Sequence, residues 1–309
     1  MVHNGIEYGD MQLISEAYDV LKTIGGLSNE EMGASFLSWN EGDLSSFLVE
    51  ITAAILVKPD DQQGKDGFVV DKILDKTGMK GTGKWTVQQA AELSVACPTI
   101  ATALDGRCIS GLKSEREAAS KFLEAQGVPA AGAPPGLAVD KAALVADVRA
   151  ALYASKICSY AQGMNLIRAK SGAMGWNLNL GEMARIWKGG CIIRAAFLSD
   201  IKAAYDRDSG LKSLLMDPEF AKGLAQRVGA WRRVVGLAVA TGVATPGMSA
   251  SLAYFDSYRR SVLPANLVQA QRDYFGSHTY ERTDMPGAFH TLWSAGNSAD
   301  SITTKAYNA

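Results

Sequence analysis

Histidine and cysteine are scarce: the 309 residues hold three of one and four of the other. No H-E-x-x-H pattern and no C-x-x-C pair occurs among them. The cysteines (Cys97, Cys108, Cys158 and Cys191) are too scattered for a zinc ribbon or a dithiol redox site, so no metal site is expected. So few cysteines in a chain of this length suit a reducing compartment, where they act as small apolar residues. A surplus of either charge is also lacking, with Lys plus Arg at 31 and Asp plus Glu at 32. That balance excludes the broad phosphate-neutralising surface of a nucleic-acid binder, though it leaves room for a local basic pocket. The longest apolar stretch, residues 234–243, contains Gly236 and Gly242 and is too short to span a bilayer. At the start, Met1 leads straight into His3, Asn4, Glu7 and Asp10, without the basic segment and apolar run of a secretory signal. Strands at regular spacing are missing too, and no strand is followed by G-x-G-x-x-G. A dinucleotide site of the Rossmann type is therefore not expected within the chain.

What remains is helical periodicity. Met11, Leu13, Ile14, Ala17, Tyr18 and Leu21 form one apolar stripe, which Gly25 and Gly26 stop. Ser28 with Glu31 makes a capping box ahead of a helix carrying Met32, Phe36, Leu37 and Trp39. A third apolar-striped segment spans 44–57 and is closed by Pro59. Thr86 is the expected N-cap of a helix over 87–96, and Pro98 is expected to interrupt the segment after it. Residues 110–126 alternate charged and apolar positions with a helical period. A Gly/Ala/Pro linker at 127–136, with Pro134 and Pro135 in it, precedes further helix-like segments at 139–170, 181–188, 192–206 and 219–241. The last, 249–274, is interrupted at Pro264. From Gly276 onward the composition turns irregular and polar. The predicted fold is all-α: a large helical domain over 1–275, in two helical blocks joined near residue 130, and a C-terminal tail over 276–309.

Three clusters carry candidate chemistry. On a helix, His3, Glu7 and Asp10 share one face, with Asn4 and Tyr8 beside it. An imidazole, an amide, a carboxylic acid and a phenol converging there suit a polyhydroxylated substrate, and by spacing alone they equally suit a solvated first turn. The second cluster is Lys80-Gly-Thr-Gly-Lys84-Trp85-Thr86. Read from Gly78 it nearly matches the P-loop, but Trp85 takes the place of the metal-binding hydroxyl and no buried strand precedes it. A nucleoside triphosphatase is excluded; a Gly-rich turn with two lysines at a helix N-terminus survives, as an anion site or as an ordinary loop. The third holds Arg272, able to fork two hydrogen bonds to a phosphate, and His278. Taken singly, that pair equally fits a surface Arg and a chain-end His.

In this order the clusters resemble the decarboxylating 6-phosphogluconate dehydrogenases. The resemblance rests on M-V-H-N-G-I-E-Y-G-D-M-Q at 1–12, K-G-T-G-K-W at 80–85 and L-P-A-N-L-V-Q-A-Q-R-D-Y-F-G-S-H-T-Y at 263–280. S-G-L-K-S-E-R at 110–116 and W-K-G-G-C-I-I-R at 187–194 agree, so it covers nearly the whole chain. It implies oxidation of 6-phosphogluconate with NADP and loss of carbon dioxide to give ribulose 5-phosphate, without a metal. It implies Glu7 as the proton donor to the carbon left after decarboxylation. His3, Asn4 and Tyr8 are implied as substrate ligands, Lys80 as the substrate-binding lysine of its loop (with Lys84 ranked lower), and Arg107 as a phosphate-binding arginine. Arg272 and His278 are implied to reach the phosphate from the tail of a neighbouring subunit, in a homodimer with tail exchange.

Two departures from the family pattern stand out. Met79 takes the place of a polar residue, and the stretches at 94–99 and 104–107 resemble the plant and algal branch, which implies cytosol or plastid. The larger departure is that the family's catalytic lysine would fall one position before Met1, with the NADP-binding domain before that. The chain alone is therefore expected to be inactive, supplying the substrate-binding and dimerisation part. The alternative is a non-catalytic remnant that binds sugar phosphate or dimerises.

Overall fold

The structure, a computed structural model, describes residues 1–62, 66–130, 132, 137–294 and 302–304. Its first helix, α1 (Val2–Asp19), runs on into a wider turn at Val20–Ile24 and buries Ile6, Leu13, Ile14 and Ala17, as the apolar stripe requires. The capping box at Ser28 is present: its hydroxyl accepts from Glu31 N at 3.2 Å and Glu31 Oε2 accepts from Ser28 N at 2.7 Å. It opens α2 (Asn29–Asn40), which pairs with α3 (Phe47–Leu56). Next come α4 (Thr82–Glu92), α5 (Pro98–Gly111) and α6 (Lys113–Ala125). Pro98 does not interrupt a helix here. It opens α5, where a missing N–H costs nothing and the fixed φ is already helical.

The longest element is α7 (Lys141–Met174), 34 residues, or about 50 Å at 1.5 Å per residue. Asp140 caps its start, accepting from Ala143 N at 3.1 Å, and Gly175 ends it at φ +65°. From Ala154 to Leu166 every residue is buried, so this stretch forms the axis around which α1, α5 and α10 (Pro218–Thr241) pack. Two short helices, α8 (Leu180–Ile186) and α9 (Leu198–Arg207), pair with each other, and α11 (Pro246–Tyr258) follows α10. Because α7 packs directly on α1 and α5, the two predicted blocks share one core. Part of the predicted linker (residue 131, and 133–136 with its two prolines) lies outside the described residues.

Glycines decide how closely α1 and α7 approach. A Cβ on Gly9 would stand 2.3 Å from Ser159 Oγ, and one on Gly163 would stand 2.4 Å from Ile6 Cδ1. Beside them Asp10 and Lys156, 1% and 0% exposed, meet at 2.5 Å. The approach lies off the hydrogen-bond direction, so this is an ion pair rather than a directed bond.

The chain divides into two compact units, Met1–Phe255 and Asp256–Ala309, whereas composition alone puts the change at 275/276. After the last residues of α11, the second unit continues with α12 (Ala265–Gly276). The sequence predicts an irregular tail after it. Instead β1 (Tyr280–Glu281), β2 (Ala288–Thr291) and β3 (Ile302–Thr304) make a small antiparallel sheet in that order, with Tyr280 opposite Phe289 and His290 opposite Thr303. Buried Asp273 on α12 supplies the reason, because its carboxylate accepts from the backbone N–H of Thr279 and Thr291 on either side of the hairpin. A polar composition can order when one buried acceptor collects its donors.

Replacing Gly9 by Val should cost about 3 kcal/mol or more, because the added side chain must push apart two helix backbones; chemical unfolding measures it. A second expectation concerns Glu16, 2% exposed, which accepts from Gly247 N at 2.6 Å and Met248 N at 2.8 Å and so caps α11 from another helix. Burial pushes its carboxyl up to about 7, against the hydrogen bonds from Gln12 and the two amides. The native state therefore holds this proton more tightly than the unfolded chain. Its contribution to stability is complete below about pH 4.5 and is lost as pH rises through 7, by up to about 3 kcal/mol. Denaturant midpoints from pH 5 to 8 should fall accordingly, and Glu16→Gln should flatten that slope.

Candidate functional site

The second turn of α1 is laid open where α4 and α5 reach it. A Cβ on Gly83 would stand 2.5 Å from the Tyr8 ring, and one on Gly5 would stand 2.5 Å from the Thr86 side chain. The glycines of K-G-T-G-K-W-T thus serve packing: Gly81 takes the left-handed conformation at the start of α4 (φ +101°), and Gly83 lets that helix lie on Tyr8. Thr86 is not the N-cap. It is fully buried one turn inside α4, and its hydroxyl donates to Thr82 O at 2.9 Å and Met1 O at 3.2 Å.

Arg107 on α5 stacks on the same ring, its guanidinium carbon 3.4 Å from the Tyr8 centroid. Its Nη1 donates weakly to Gly78 O at 3.4 Å. The loop leading to Lys80 is stitched to the α5–α6 junction by further bonds. Asp75 pairs with Lys113 at 2.7 Å and Arg116 at 3.0 Å, and Thr77 N donates to Ser110 Oγ at 3.0 Å. Arg107 leaves its guanidinium without a carboxylate partner among the described ion pairs.

Between these parts lies a cleft of about 630 Å³ whose wall includes Asn4, Glu7, Tyr8, Lys80 and Arg107. Five of the residues singled out in the sequence therefore share one space. His3 does not line it: its ring meets Trp187 edge-on at 5.6 Å, and Nδ1 lies 3.3 Å from Asn4 Oδ1. A second space of about 390 Å³ adjoins, reached past Tyr8 and Arg107 and walled by Gln12, Ser15 and Arg116. Lys84 is exposed and lines neither.

Glu7 is half-buried, and its Oε2 is sealed from solvent with no hydrogen-bond partner among the described residues. Burial pushes its carboxyl above the ordinary carboxylate range; His3 and Arg107 pull it back, and Asp10 raises it again. Such a carboxyl keeps its proton to higher pH and can pass it to an atom held in the cleft. The wall also contains Gly78, Met79 and Ile192, which sequence reasoning did not pick as site residues. The loop carrying Ile192 is anchored where buried Tyr160 donates to Ile193 O at 2.9 Å. The only sequence signal for it was the W-K-G-G-C-I-I-R segment.

Arg272 and His278 belong to the second unit, where both are exposed. Arg272 Nη1 donates to Gln269 Oε1 at 2.9 Å, and the His278 ring meets Phe275 edge-on at 6.0 Å.

Residues 1–293 match the sequence model of the 6-phosphogluconate dehydrogenase C-terminal domain. The chain belongs to that family. It is 71% identical over 294 residues to chloroplastic 6-phosphogluconate dehydrogenase, decarboxylating 2, of Spinacia oleracea, covering 95% of this chain and 54% of that protein. A chloroplastic relative from Arabidopsis thaliana, decarboxylating 3, is 70% identical over 293 residues, with 95% and 60% covered. The structure of Plasmodium falciparum 6-phosphogluconate dehydrogenase, described in its apo form, with its cofactor NADP+ and with its substrate 6-phosphogluconate, superposes with a TM-score of 0.89 at 48% identity. It is covered over 61% of its length, against 95% of this chain. The chain thus spans between about half and three fifths of these relatives, and the helical fold expected from the periodicity is the fold found, the small C-terminal sheet apart.

Because Arg107 stabilises the charged form of Glu7, Arg107→Ala should raise the Glu7 titration midpoint further above 4.5. Carboxyl ¹³C NMR across pH 4 to 8 reads this directly; a lower midpoint in the variant would contradict the electrostatic picture.

Proposed function

We propose that the chain is the substrate-binding part of an NADP-dependent enzyme that oxidises and decarboxylates 6-phosphogluconate to ribulose 5-phosphate and carbon dioxide. The observation that carries this reading is Glu7, a carboxyl with a raised proton affinity on the wall of a cleft that also holds Asn4, Tyr8, Lys80 and Arg107. Arg107 and Lys80 bring positive charge for an anionic sugar acid. Asn4 and Tyr8 bring an amide and a phenol for its carboxylate and hydroxyls, with His3 setting Asn4 from behind. Glu7 holds the proton that the carbon needs once carbon dioxide has left: the electron pair of the broken C–C bond takes it, and Glu7 is left as carboxylate.

NADP accepts the hydride in such an enzyme. The described residues contain no parallel strand feeding a Gly-rich helix start, so no dinucleotide site of the Rossmann type lies among them. Arg272 and His278 are proposed to grip the phosphate from the tail of a second copy, in a homodimer. Relatives named as chloroplastic support the plastid, one of the two expected locations.

Calorimetry with 6-phosphogluconate tests the binding reading. Arg272→Ala should weaken binding by about 1.5–3 kcal/mol, the range for hydrogen bonds to a charged group, and an unchanged affinity would remove Arg272 from the site. The 309-residue chain by itself should give no steady NADPH from NADP and 6-phosphogluconate; sustained turnover would show that the chain needs nothing beyond itself. Size-exclusion chromatography should show a dimer, and a clean monomer would contradict the shared site.

A further inference from the structure

Asp273 directly follows Arg272 and is 0% exposed. Its two oxygens collect four hydrogen bonds. Oδ1 accepts from Thr279 N and from His290 Nδ1, each at 2.9 Å; Oδ2 accepts from Thr291 N at 3.0 Å and Trp293 Nε1 at 2.9 Å. All four partners donate, so a carboxylate satisfies them, whereas an amide would aim its own NH₂ at one of the two pairs. Burial alone would push this carboxyl up; the bonds from Thr291, His290, Trp293 and Thr279 outweigh it and hold it at about 2. With Asp273 ionised, His290 carries a proton on Nδ1, and its Nε2 faces Ser277 Oγ at 3.5 Å.

These bonds tie the end of α12 to the chain reversal beyond it. Ser277 and Thr279 sit at φ +51° and +60°, in the left-handed region, and His278 stands between them. Its imidazole lies over Gly276, where a Cβ would come within 2.6 Å of Nε2. Gln269, which receives the Arg272 guanidinium on its Oε1, gives its own amide to Thr279 O. Two left-handed non-glycine residues so close together persist only where their surroundings over-determine them; Asp273 holds both, Ser277 N through its backbone carbonyl at 2.9 Å and Thr279 N through its carboxylate.

We infer that Asp273 is the positioning residue of the phosphate grip: its carboxylate fixes the turn that presents His278 next to the helix end bearing Arg272. The functional half of this inference rests on the reading that Arg272 and His278 hold the substrate's phosphate; the fixing of the turn does not.

Two measurements on the full 309-residue chain separate them. In Asp273→Asn, amide hydrogen exchange at Thr279 and Thr291 is expected to rise by about tenfold or more while α1 and α7 keep their protection. Binding of 6-phosphogluconate is expected to weaken by about tenfold or more in the same variant. Added to Arg272→Ala with His278→Ala, Asp273→Asn is expected to cost no further affinity, because a group that acts through those two has nothing left to position. Trp293→Phe removes one donor and keeps an aromatic ring. It is expected to give smaller losses in both measurements, and it carries the test should the Asp273 variant not fold. Unchanged exchange at Thr279 in both variants overturns the inference, and so does an additive loss in the triple variant. A wild-type chain without measurable binding, or an Arg272→Ala chain that binds equally well, sinks the phosphate reading and the functional half with it. The exchange result then still decides whether Asp273 fixes the turn.

Discussion

The cleft depends on how near α1 lies to α7. Each helix surrenders one side chain to the other, Gly9 facing Ser159 and Gly163 facing Ile6. At that spacing water is squeezed out between them, and Asp10 and Lys156 are left facing one another in the dry. A buried pair of this kind is poor evidence of net stability, since desolvation consumes much of the attraction. Losing one partner is another matter, at about 3–5 kcal/mol, because a bare charge is left inside. Glycines set the distance, and the ion pair penalises any register of the two helices that separates the charges. With the inner face of α1 held in this way, its other face is free to carry Asn4, Glu7 and Tyr8.

That outer face is then finished by the same device. Gly83 brings α4 onto the Tyr8 ring from one side, and Arg107 lays its guanidinium on it at 3.4 Å. Tyr8 is 4% exposed, so its ring also serves as a floor, to which both lysine loop and arginine are referenced. Glu7, one residue earlier, inherits a position where one oxygen is cut off from water without receiving a donor. Backbone packing and side-chain chemistry meet at this point: burial lifts the proton affinity of Glu7, and the charge of Asp10, held one turn further along by the α1–α7 spacing, adds to it.

The helices were legible wherever the period was clean and the punctuation chemical. Ser28 and Glu31 read correctly because a capping box is local. Thr86 misled for the opposite reason: a threonine ahead of an apolar run looks like a cap, and only the tertiary contact with Gly5 shows why it lies inside the helix. Pro98 read as a break because its preceding context did not reveal that a helix begins there. The polar tail hid its order for a related cause, since Asp273 gathers donors from residues up to twenty positions away, and no local pattern announces a long-range acceptor. Among the site residues, those on α1 were legible through their spacing. Ile192 was not, because an apolar wall residue carries no chemistry of its own to draw notice, and Met79 drew notice only as a departure from the family pattern.

Four carboxyls show how far environment alone can divide one chemical group. Glu16 receives two backbone amides and the Gln12 side chain, yet sits so deep that burial prevails and it titrates near 7. Asp273 is also shut off from solvent, but it lies in the small second unit with far less protein around it and receives four donors, and the balance falls the other way, to about 2. Asp10 is answered by a full charge instead of by dipoles. Glu7 has an oxygen enclosed with neither a hydrogen-bond donor nor an ion-pair partner among the described residues, and His3 and Arg107 only partly offset the burial. Donor count against depth is thus the variable that separates a structural anion from an acid with a proton to give. A carboxyl meant to hold a fold together needs its donors built in. One meant to pass a proton on needs them withheld until a substrate supplies the partner.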